Sequence, residues 1–440
     1  MNFQSASAYL LGTINETVSR RVPYRLDRMR AFLHELGDPQ ERYPTMHIGG
    51  TSGKGSTATM IAAALSAGGK RCGLHTKPHL ASITERARID GIAISEEALA
   101  ERLTEMLPAI ARVSAEFSKP SYYETLLALA FAYFASENVD IAVIEVGIGG
   151  KLDGTNVLMP QVSVITNVGL DHTDILGETV EEIAADKVGI AKPGVPLVSA
   201  VGAGSARSVI QEGAARAGAP FLSVKDDVQI HRVAGQIYGQ EFDVRTPLDT
   251  YHVRLPVLGR FQETNAATAI LALEQLPCAL RPRPREVENG LAHVVLPGRM
   301  EFFPSHPSVI FDVAHNADKA CQLVESLGET FAGRRFSFVV AIAVSKDAQR
   351  ILSALATLPG SFIFTAFEVP GRSAMKPQRL ASIAQDLGIW GRAVSDPVEA
   401  LAIARRNADA SDVVVVTGST FVVADLRGWW LDNVSSQTSA

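Results

Sequence analysis

The stretch HIGGTSGKGSTATM, residues 47–60, holds the side chains best suited to handle an anion. Backbone N–H groups of a glycine-rich turn at a helix N-terminus bind anionic oxygens, and the helix dipole strengthens the hold. A lysine in such a turn suits the β- and γ-phosphates, and a following hydroxyl suits Mg²⁺. The usual pattern is G-x-x-x-x-G-K-[ST]. Here Ile48 stands at the first glycine, and Gly55 separates Lys54 from the hydroxyls of Ser56 and Thr57. The extra glycine changes which hydroxyl faces a metal and removes none, so Gly53, Lys54, Gly55 and Ser56 are read as a nucleotide site. Glu145, at the end of DIAVIEVG, offers a hard oxygen for a hard cation. GLDHTDILG adds Asp171 and His172 at the end of another strand. Later in the chain, FDVAHNADK supplies Asp312 and His315, and Arg299 lies in LPGRM. An arginine there can stabilise charge on a transferring phosphoryl group.

These residues need elements to position them. Leu26, Met29, Leu33 and Leu36 recur at helical spacing and stop at Gly37. A short apolar strand at about 46–48 leads into the loop, and an alanine-rich helix at about 56–67 follows, closed by Gly68 and Gly69. LLALAFAYFA, residues 126–135, reads as a buried helix. DIAVIEVG (140–147) and VSVITNVG (162–169) read as buried parallel strands, whose C-terminal edge is where ligands bind. Thr179 and Glu182 form a capping box opening a helix, and Lys187 at its end, taken by itself, reads as a surface residue. Residues 220–256 have mixed strand character; a proline-rich interval follows at 277–284. SVIFDVAH, SFVVAIAV, SFIFTAF and DVVVVTGS then alternate with helices. The expected fold is α/β: a large P-loop-type, mostly parallel sheet ATPase domain over 1–296, a hinge at 297–300, and a smaller Rossmann-like C-terminal α/β domain over 301–440.

Composition narrows the function. With 440 residues, 47% of them hydrophobic, the chain can form two or three domains with real cores. Its net charge of -6 comes from 41 basic and 47 acidic residues spread evenly, without the basic stripe of a nucleic-acid binder. The densest basic run, Arg20, Arg21, Arg25, Arg28 and Arg30, reads as a solvated helix face. Three scattered cysteines, Cys72, Cys278 and Cys321, indicate neither a disulfide framework nor a zinc site. MNFQSASAYLLG lacks the charged start and apolar core of a signal peptide, and no apolar run is long enough to span a bilayer. A cytoplasmic protein with no nucleic-acid or membrane partner is expected.

Taken together, GTSGKGST, EVGIGGKLDGTN, GLDHTDILG followed by DKVGI, QETNAATA, LPGR and DVAHN stand in the order and spacing of the Mur-ligase superfamily. The chain resembles folylpolyglutamate synthase and the bifunctional dihydrofolate synthase–folylpolyglutamate synthase over nearly its whole length. That resemblance implies an ATP-dependent amide ligase. ATP phosphorylates a substrate carboxylate, and L-glutamate attacks the acyl phosphate, the carboxylate being dihydropteroate or a reduced folate. It further implies that Ser56, Glu145 and His172 ligate Mg²⁺, with two metal sites, and that Lys187 is carbamylated. Lys187, His172 and His315 form the implied catalytic set. Asn265 falls on the adenine side, Arg299 and Asp312 contact the nucleotide, and Ser419 lies near phosphate or glutamate. SYYE, comprising Ser121, Tyr122, Tyr123 and Glu124, stands where the family commonly has TFFE; Tyr123 would stack on the pterin. Leu152, Asp153 and Gly154 would line the same pocket, and Arg86 would be a substrate-side arginine. A monomer is implied.

Several positions depart from the family. Where it often has S-P-H with a metal-bound serine, this chain has Thr76, Lys77, Pro78 and His79. An ammonium has no lone pair for a cation, which leaves Lys77 to reach a phosphate or a substrate carboxylate. Ser52 replaces the usual asparagine, Lys151 an arginine, Gly154 an alanine and Phe261 a histidine. Two alternatives stay open. One is another Mur-superfamily ligase, acting on a cell-wall precursor or other cofactor; the loop's position by residue 50 weighs against the separate N-terminal domain usual there. The other is an ATP-binding non-catalytic homologue, which the retention of Lys187, His172 and Asp312 opposes.

Overall fold

The computed structural model describes residues 1–13, 26–236, 238–369 and 372–434; Arg20, Arg21 and Arg25 of the basic run lie outside them. The chain divides into two compact units. One comprises Met1–Val233, Phe242–Arg254 and Gln262–Val294; the other comprises Ala234–Glu241, Leu255–Phe261 and Val295–Ala440. The division is therefore not one cut, because two short earlier segments belong to the second unit.

The first unit is built on strands β1 (Thr45–Gly49), β2 (Cys72–His75), β3 (Arg88–Ile89), β4 (Ile92–Ala93), β5 (Ile141–Glu145), β6 (Val162–Ile165), β7 (Leu197–Ser199) and β8 (Phe221–Ser223). They hydrogen-bond in the order β4-β3-β2-β5-β1-β6-β7-β8. Only β3 and β4 run antiparallel to their neighbours. Buried on both faces, β1, β2, β5 and β6 explain the continuous apolar runs in the sequence. Their register pairs Ile48 with Glu145, Gly49 with Ile165, and His75 with Ile144. Four chain segments thus leave the sheet together at its C-terminal edge.

One face of this sheet is covered by a core that includes Phe32, Leu33, Leu127, Phe131 and Phe134. Ile165, Val188, Ile190, Ile210 and Ala214 belong to a second core. Each leucine, isoleucine or phenylalanine fully buried there stabilises the fold by roughly 1.5–3 kcal/mol. The helix Lys54–Ala67 packs against Pro284–Ala292, so closely that a Cβ on Gly290 would lie 2.5 Å from Ala64 Cα. In the helix Leu26–Glu35 the expectation of a solvated basic face needs correction. Arg28 is half-buried and donates to both carboxylate oxygens of Glu124, at 3.1 and 2.7 Å, because Phe32 and Met29 on the same helix face the core.

Strands β9 (Gln229–Gln236), β10 (Gly239–Arg245) and β11 (Thr250–Leu255) form a separate three-stranded sheet. The second unit contains β12 (Glu301–Phe303), β13 (Ser308–Phe311), β14 (Phe336–Val340), β15 (Gly360–Phe364), the short pair β16 (Glu368–Val369) and β17 (Arg372–Ser373), β18 (Gly391–Ala393) and β19 (Val413–Thr417). Its main sheet has the order β12-β13-β19-β14-β15-β18, parallel except for β12. Leu327, Phe338, Val340, Leu352 and Phe364 form its core. Among the described residues, no helix is long and apolar enough to cross a membrane.

Candidate active site

At the shared edge of β1 and β6 the glycine-rich loop is held by side chains from the neighbouring strand. Asn167 Oδ1 accepts from the N–H groups of Thr51 and Ser52 at 3.1 and 2.7 Å. Thr166 Oγ1 donates to the Ser52 carbonyl at 2.6 Å. Both residues end VSVIT-N and went unremarked in the sequence, where a polar pair closing a β-branched strand was the available signal. Gly53 has φ of 79°, and a Cβ there would sit 2.5 Å from Asn265 Oδ1. The backbone and Asn265 approach each other this closely only because the position is glycine. The helix begins at Lys54, placing Ser56 in its first turn with a hydroxyl that makes no hydrogen bond among the described residues.

Two lysines converge on this loop. Lys54 Nζ donates to the carbonyls of Gly50 and Thr51 at 2.9 and 3.2 Å, and Lys187 Nζ donates to the same Gly50 carbonyl at 3.0 Å. Lys187 is 3% exposed, which corrects the expectation of a surface position. The helix Val180–Lys187 turns Ile183, Ala184 and Lys187 inward together, Lys187 lying four and three residues after the other two on one face. Burial, and next the charge of Lys54, lower the Lys187 ammonium from 10.5 to about 7. Beside it, burial raises the Asp186 carboxyl, whose Oδ2 is buried without a hydrogen-bond partner among the described residues.

Glu145 closes β5 and is 3% exposed. Its Oε2 accepts from the Lys77 N–H at 2.9 Å and would lie 3.2 Å from a Cβ on Gly55. The carboxylate therefore borders the loop's lysine–glycine step. Burial and then Lys54 lower the Lys77 ammonium to about 8. His172 stands apart from these in character: it is exposed, has φ of 51°, and heads the four-residue helix Thr173–Leu176. Its N–H is held by Asp171 Oδ1 at 3.0 Å, and the Asp171 charge acts on Lys187. Among the described residues, no three His, Cys, Asp or Glu side chains gather at metal-binding distance.

The SYYE segment begins the helix Tyr122–Ser136. Ser121 is its N-cap, and Glu124 Oε2 accepts from Ser121 N–H and Oγ at 2.9 and 2.6 Å while pairing with Arg28. Both side chains are thus engaged in helix capping. Tyr123 Oη donates to Asp153 Oδ1 at 3.0 Å, and its ring lies over Gly147, where a Cβ would come within 2.6 Å of the phenol. Burial, and next the Asp153 charge, hold this phenol protonated well above its ordinary range. Asp153 also accepts from Thr155 N–H and Oγ1 at 3.0 and 2.5 Å and from Ile148 N–H at 2.9 Å. Since the Thr155 proton goes to Asp153, His47 Nε2–H must donate to Thr155 Oγ1, at 2.7 Å. Arg86 Nε donates to His79 Nδ1 at 3.1 Å, and its carbonyl accepts from His75 Nδ1–H at 2.7 Å. Its charge also acts on both Tyr122 and Tyr123. Leu152 is 43% exposed, and Gly154 packs near Leu127 and Tyr123. His47, His75 and Thr155 were not legible as members of this network.

The second unit groups Arg299, Asp312, His315 and Ser419. Asp312 follows β13 and accepts from Met300 and Ala314 N–H at 2.9 and 2.8 Å. Burial raises its carboxyl, and Arg299 opposes that rise. His315 Nδ1–H donates to the Val313 carbonyl at 2.8 Å, and Nε2 accepts from Lys319 at 3.3 Å. Burial and the Lys319 charge lower it to about 3, so it is neutral at physiological pH. Ser419 is buried and caps the helix Thr420–Asn433; next to it, Gly418 N–H donates to the Ala314 carbonyl at 3.0 Å.

Known proteins match this arrangement from end to end. The Mur ligase middle domain family matches residues 48–273, and the Mur ligase glutamate ligase domain family matches residues 298–420. By sequence and fold, then, this is a Mur ligase. Dihydrofolate synthase/folylpolyglutamate synthase of Bacillus subtilis is 34% identical over 407 residues, 91% of this chain and 94% of that one. The Escherichia coli enzyme described in the same words is 30% identical, covering 96% and 95%. The crystal structure of Mycobacterium tuberculosis folylpolyglutamate synthase complexed with ADP superposes with a TM-score of 0.86 at 30% identity, over 97% and 98% of the two chains. E. coli FolC in complex with DHPP and ADP superposes with a TM-score of 0.87 at 28% identity, over 99% of each. The chain belongs to the dihydrofolate synthase/folylpolyglutamate synthase family.

Proposed function

We propose that the protein is an ATP-dependent ligase joining L-glutamate through an amide bond to dihydropteroate, to reduced folates, or to both. The observation that carries this reading is the meeting of Lys54 and Lys187 on one loop carbonyl beside Glu145, in a chain related throughout to such enzymes. A carboxylate is a poor electrophile. Its oxygen attacks the γ-phosphorus of ATP, the bond to the bridging oxygen breaks, and ADP leaves. The amine of glutamate then attacks the acyl carbon and phosphate departs. The loop N–H groups and Lys54 bind and align the phosphates, so that both displacements occur between held partners.

Two accessory groups fit the residues present. Ser56 with its unengaged hydroxyl and Glu145 with its buried carboxylate form a hard-oxygen pair suited to Mg²⁺, which when bound neutralises phosphate charge. His172 and a second metal position rest on the family resemblance. Lys187, lowered to about 7, has the neutral amine that CO₂ requires. Loss of a proton after addition gives a carbamate, an anion in place of a cation. On the substrate side the proposal assigns Arg86, Tyr122, Tyr123, Leu152, Asp153 and Gly154 to the pterin, with Ser121 and Glu124 supporting the helix that presents them. Asn265 is assigned to the adenine side. In the second unit it assigns Arg299 and Asp312 to the nucleotide, Ser419 to glutamate, and His315 as a neutral hydrogen-bonding group. A cytoplasmic location, where ATP is supplied, and a monomeric state complete the proposal.

The test is phosphate release from ATP and Mg²⁺ with glutamate and either dihydropteroate or tetrahydrofolate. Release should require both the pteridine and glutamate. No release with either pteridine removes the reading.

A further inference from the structure

Lys77 lies two residues beyond β2, at the same sheet edge as the glycine-rich loop. Its N–H donates to Glu145 Oε2 at 2.9 Å, and that oxygen would lie 3.2 Å from a Cβ on Gly55. The backbone of Lys77, the Glu145 carboxylate and the loop's lysine–glycine step are therefore successive neighbours. The ammonium group itself makes no hydrogen bond or ion pair with any described residue, whereas the other cations here are engaged. Lys54 and Lys187 donate to loop carbonyls, and Arg86 donates to His79.

The charged groups around Lys77 give its ammonium no hydrogen-bonded partner. Lys54 and Arg86 repel it, and Glu145 and Asp153 attract it. Asp153 is already occupied by four donors from Tyr123, Thr155 and Ile148. Glu145 meets the Lys77 backbone and not its side chain. A half-buried ammonium with two cations nearby and no hydrogen-bonded partner is unfavourable unless an anion arrives to share it. The anion whose place lies next to Gly53, Lys54, Gly55 and Ser56 is the terminal phosphoryl group of a nucleoside triphosphate.

We infer that Lys77 Nζ binds the γ-phosphoryl oxygens of the nucleotide, as a built-in cation that lessens this site's dependence on a divalent ion. The inference rests on the nucleotide reading above and adds a residue to it. A phosphate-bound ammonium neutralises charge without supplying a coordination site.

The test measures the affinity of the full-length protein for ADP and for the non-hydrolysable triphosphate analogue AMPPCP, in excess EDTA and in Mg²⁺, by calorimetry. Lys77→Ala should weaken AMPPCP binding in EDTA by about tenfold or more, the effect of losing one charge-assisted contact. ADP binding should change by less than about twofold, and Lys77→Arg should restore most of the AMPPCP affinity. Lys77→Met, which keeps the stem, should match the alanine variant, and unchanged melting of either variant separates the effect from misfolding. Equal losses for ADP and AMPPCP, or no loss, overturn the assignment. So does unchanged AMPPCP affinity with a raised KM for the pteridine, which would place Lys77 on a substrate carboxylate. Wild-type protein that binds neither nucleotide would instead overturn the underlying reading.

Discussion

Replacing Lys187 tests the electrostatics of the loop through stability and turnover at once. The fall of its ammonium from 10.5 to about 7 corresponds to about 5 kcal/mol in favour of the neutral amine, at ~1.4 kcal/mol per pH unit. At pH 7 roughly half of Lys187 is then neutral, against about one in 3,000 for an ordinary lysine. The sign follows from linkage. Below pH 7 the group is charged in both folded and unfolded chains, and the fold bears the full desolvation cost. Between about 7 and 10.5 the folded chain has shed a proton that the unfolded chain keeps, so stability rises with pH. Lys187→Met removes the charge but also the hydrogen bond to Gly50, which is worth about 1 kcal/mol. In CO₂-free buffer the variant should therefore be more stable than wild type by about 1–3 kcal/mol at pH 6, allowing for relaxation around the site, and the advantage should vanish by about pH 9. Urea unfolding at pH 6, 7.5 and 9 reads this. Turnover of Lys187→Ala should drop by about a hundredfold or more and recover in part with formate or acetate, which can supply the missing anion. A methionine variant whose advantage grows with pH, or an alanine variant with wild-type turnover, would refute the reasoning.

Three further perturbations address the surrounding residues. Asn167→Ala leaves the Ser52 N–H without its acceptor, while Thr51 N–H keeps the backbone carbonyl of residue 167, so stability should fall by about 1–3 kcal/mol and nucleotide Kd rise about tenfold; an unchanged Kd in calorimetry would show that the loop does not need this tether. Glu124→Gln weakens the capping box and the Arg28 pair, so unfolding should show a loss of about 1–3 kcal/mol while KM for the pteridine stays within about threefold; a large KM rise at unchanged stability would assign Glu124 to the substrate. His315 titrates near 3 and so carries no charge change above pH 5; His315→Gln should scale kcat/KM by the same factor from pH 5 to 9, and a limb near 6.5 that disappears in the variant would contradict this.

The strands at the sheet edge, the loop and the capping box at Thr179 were readable because each is a local pattern: a short β-branched apolar run, a glycine turn, or a capping spacing. Lys187, taken by itself, passes for a surface residue because lysines are mostly exposed. Ile183, Ala184 and Lys187 fall on one stripe, and a lysine on an apolar stripe is itself a sign of burial with a purpose. The pairings that decide what each polar residue does were hidden for a different reason: they join distant parts of the chain. Arg28 meets Glu124, Tyr123 meets Asp153, and His47 meets Thr155, with nothing in the local pattern of either partner to announce the other. A motif names residues able to do chemistry, but their partners determine which are left to do it. Glu124 is occupied by helix capping and Arg28, whereas the Ser56 hydroxyl and the Lys77 ammonium stay unengaged at the sheet edge. That contrast, more than the presence of any motif, separates a residue that shapes the pocket from one that meets the substrate.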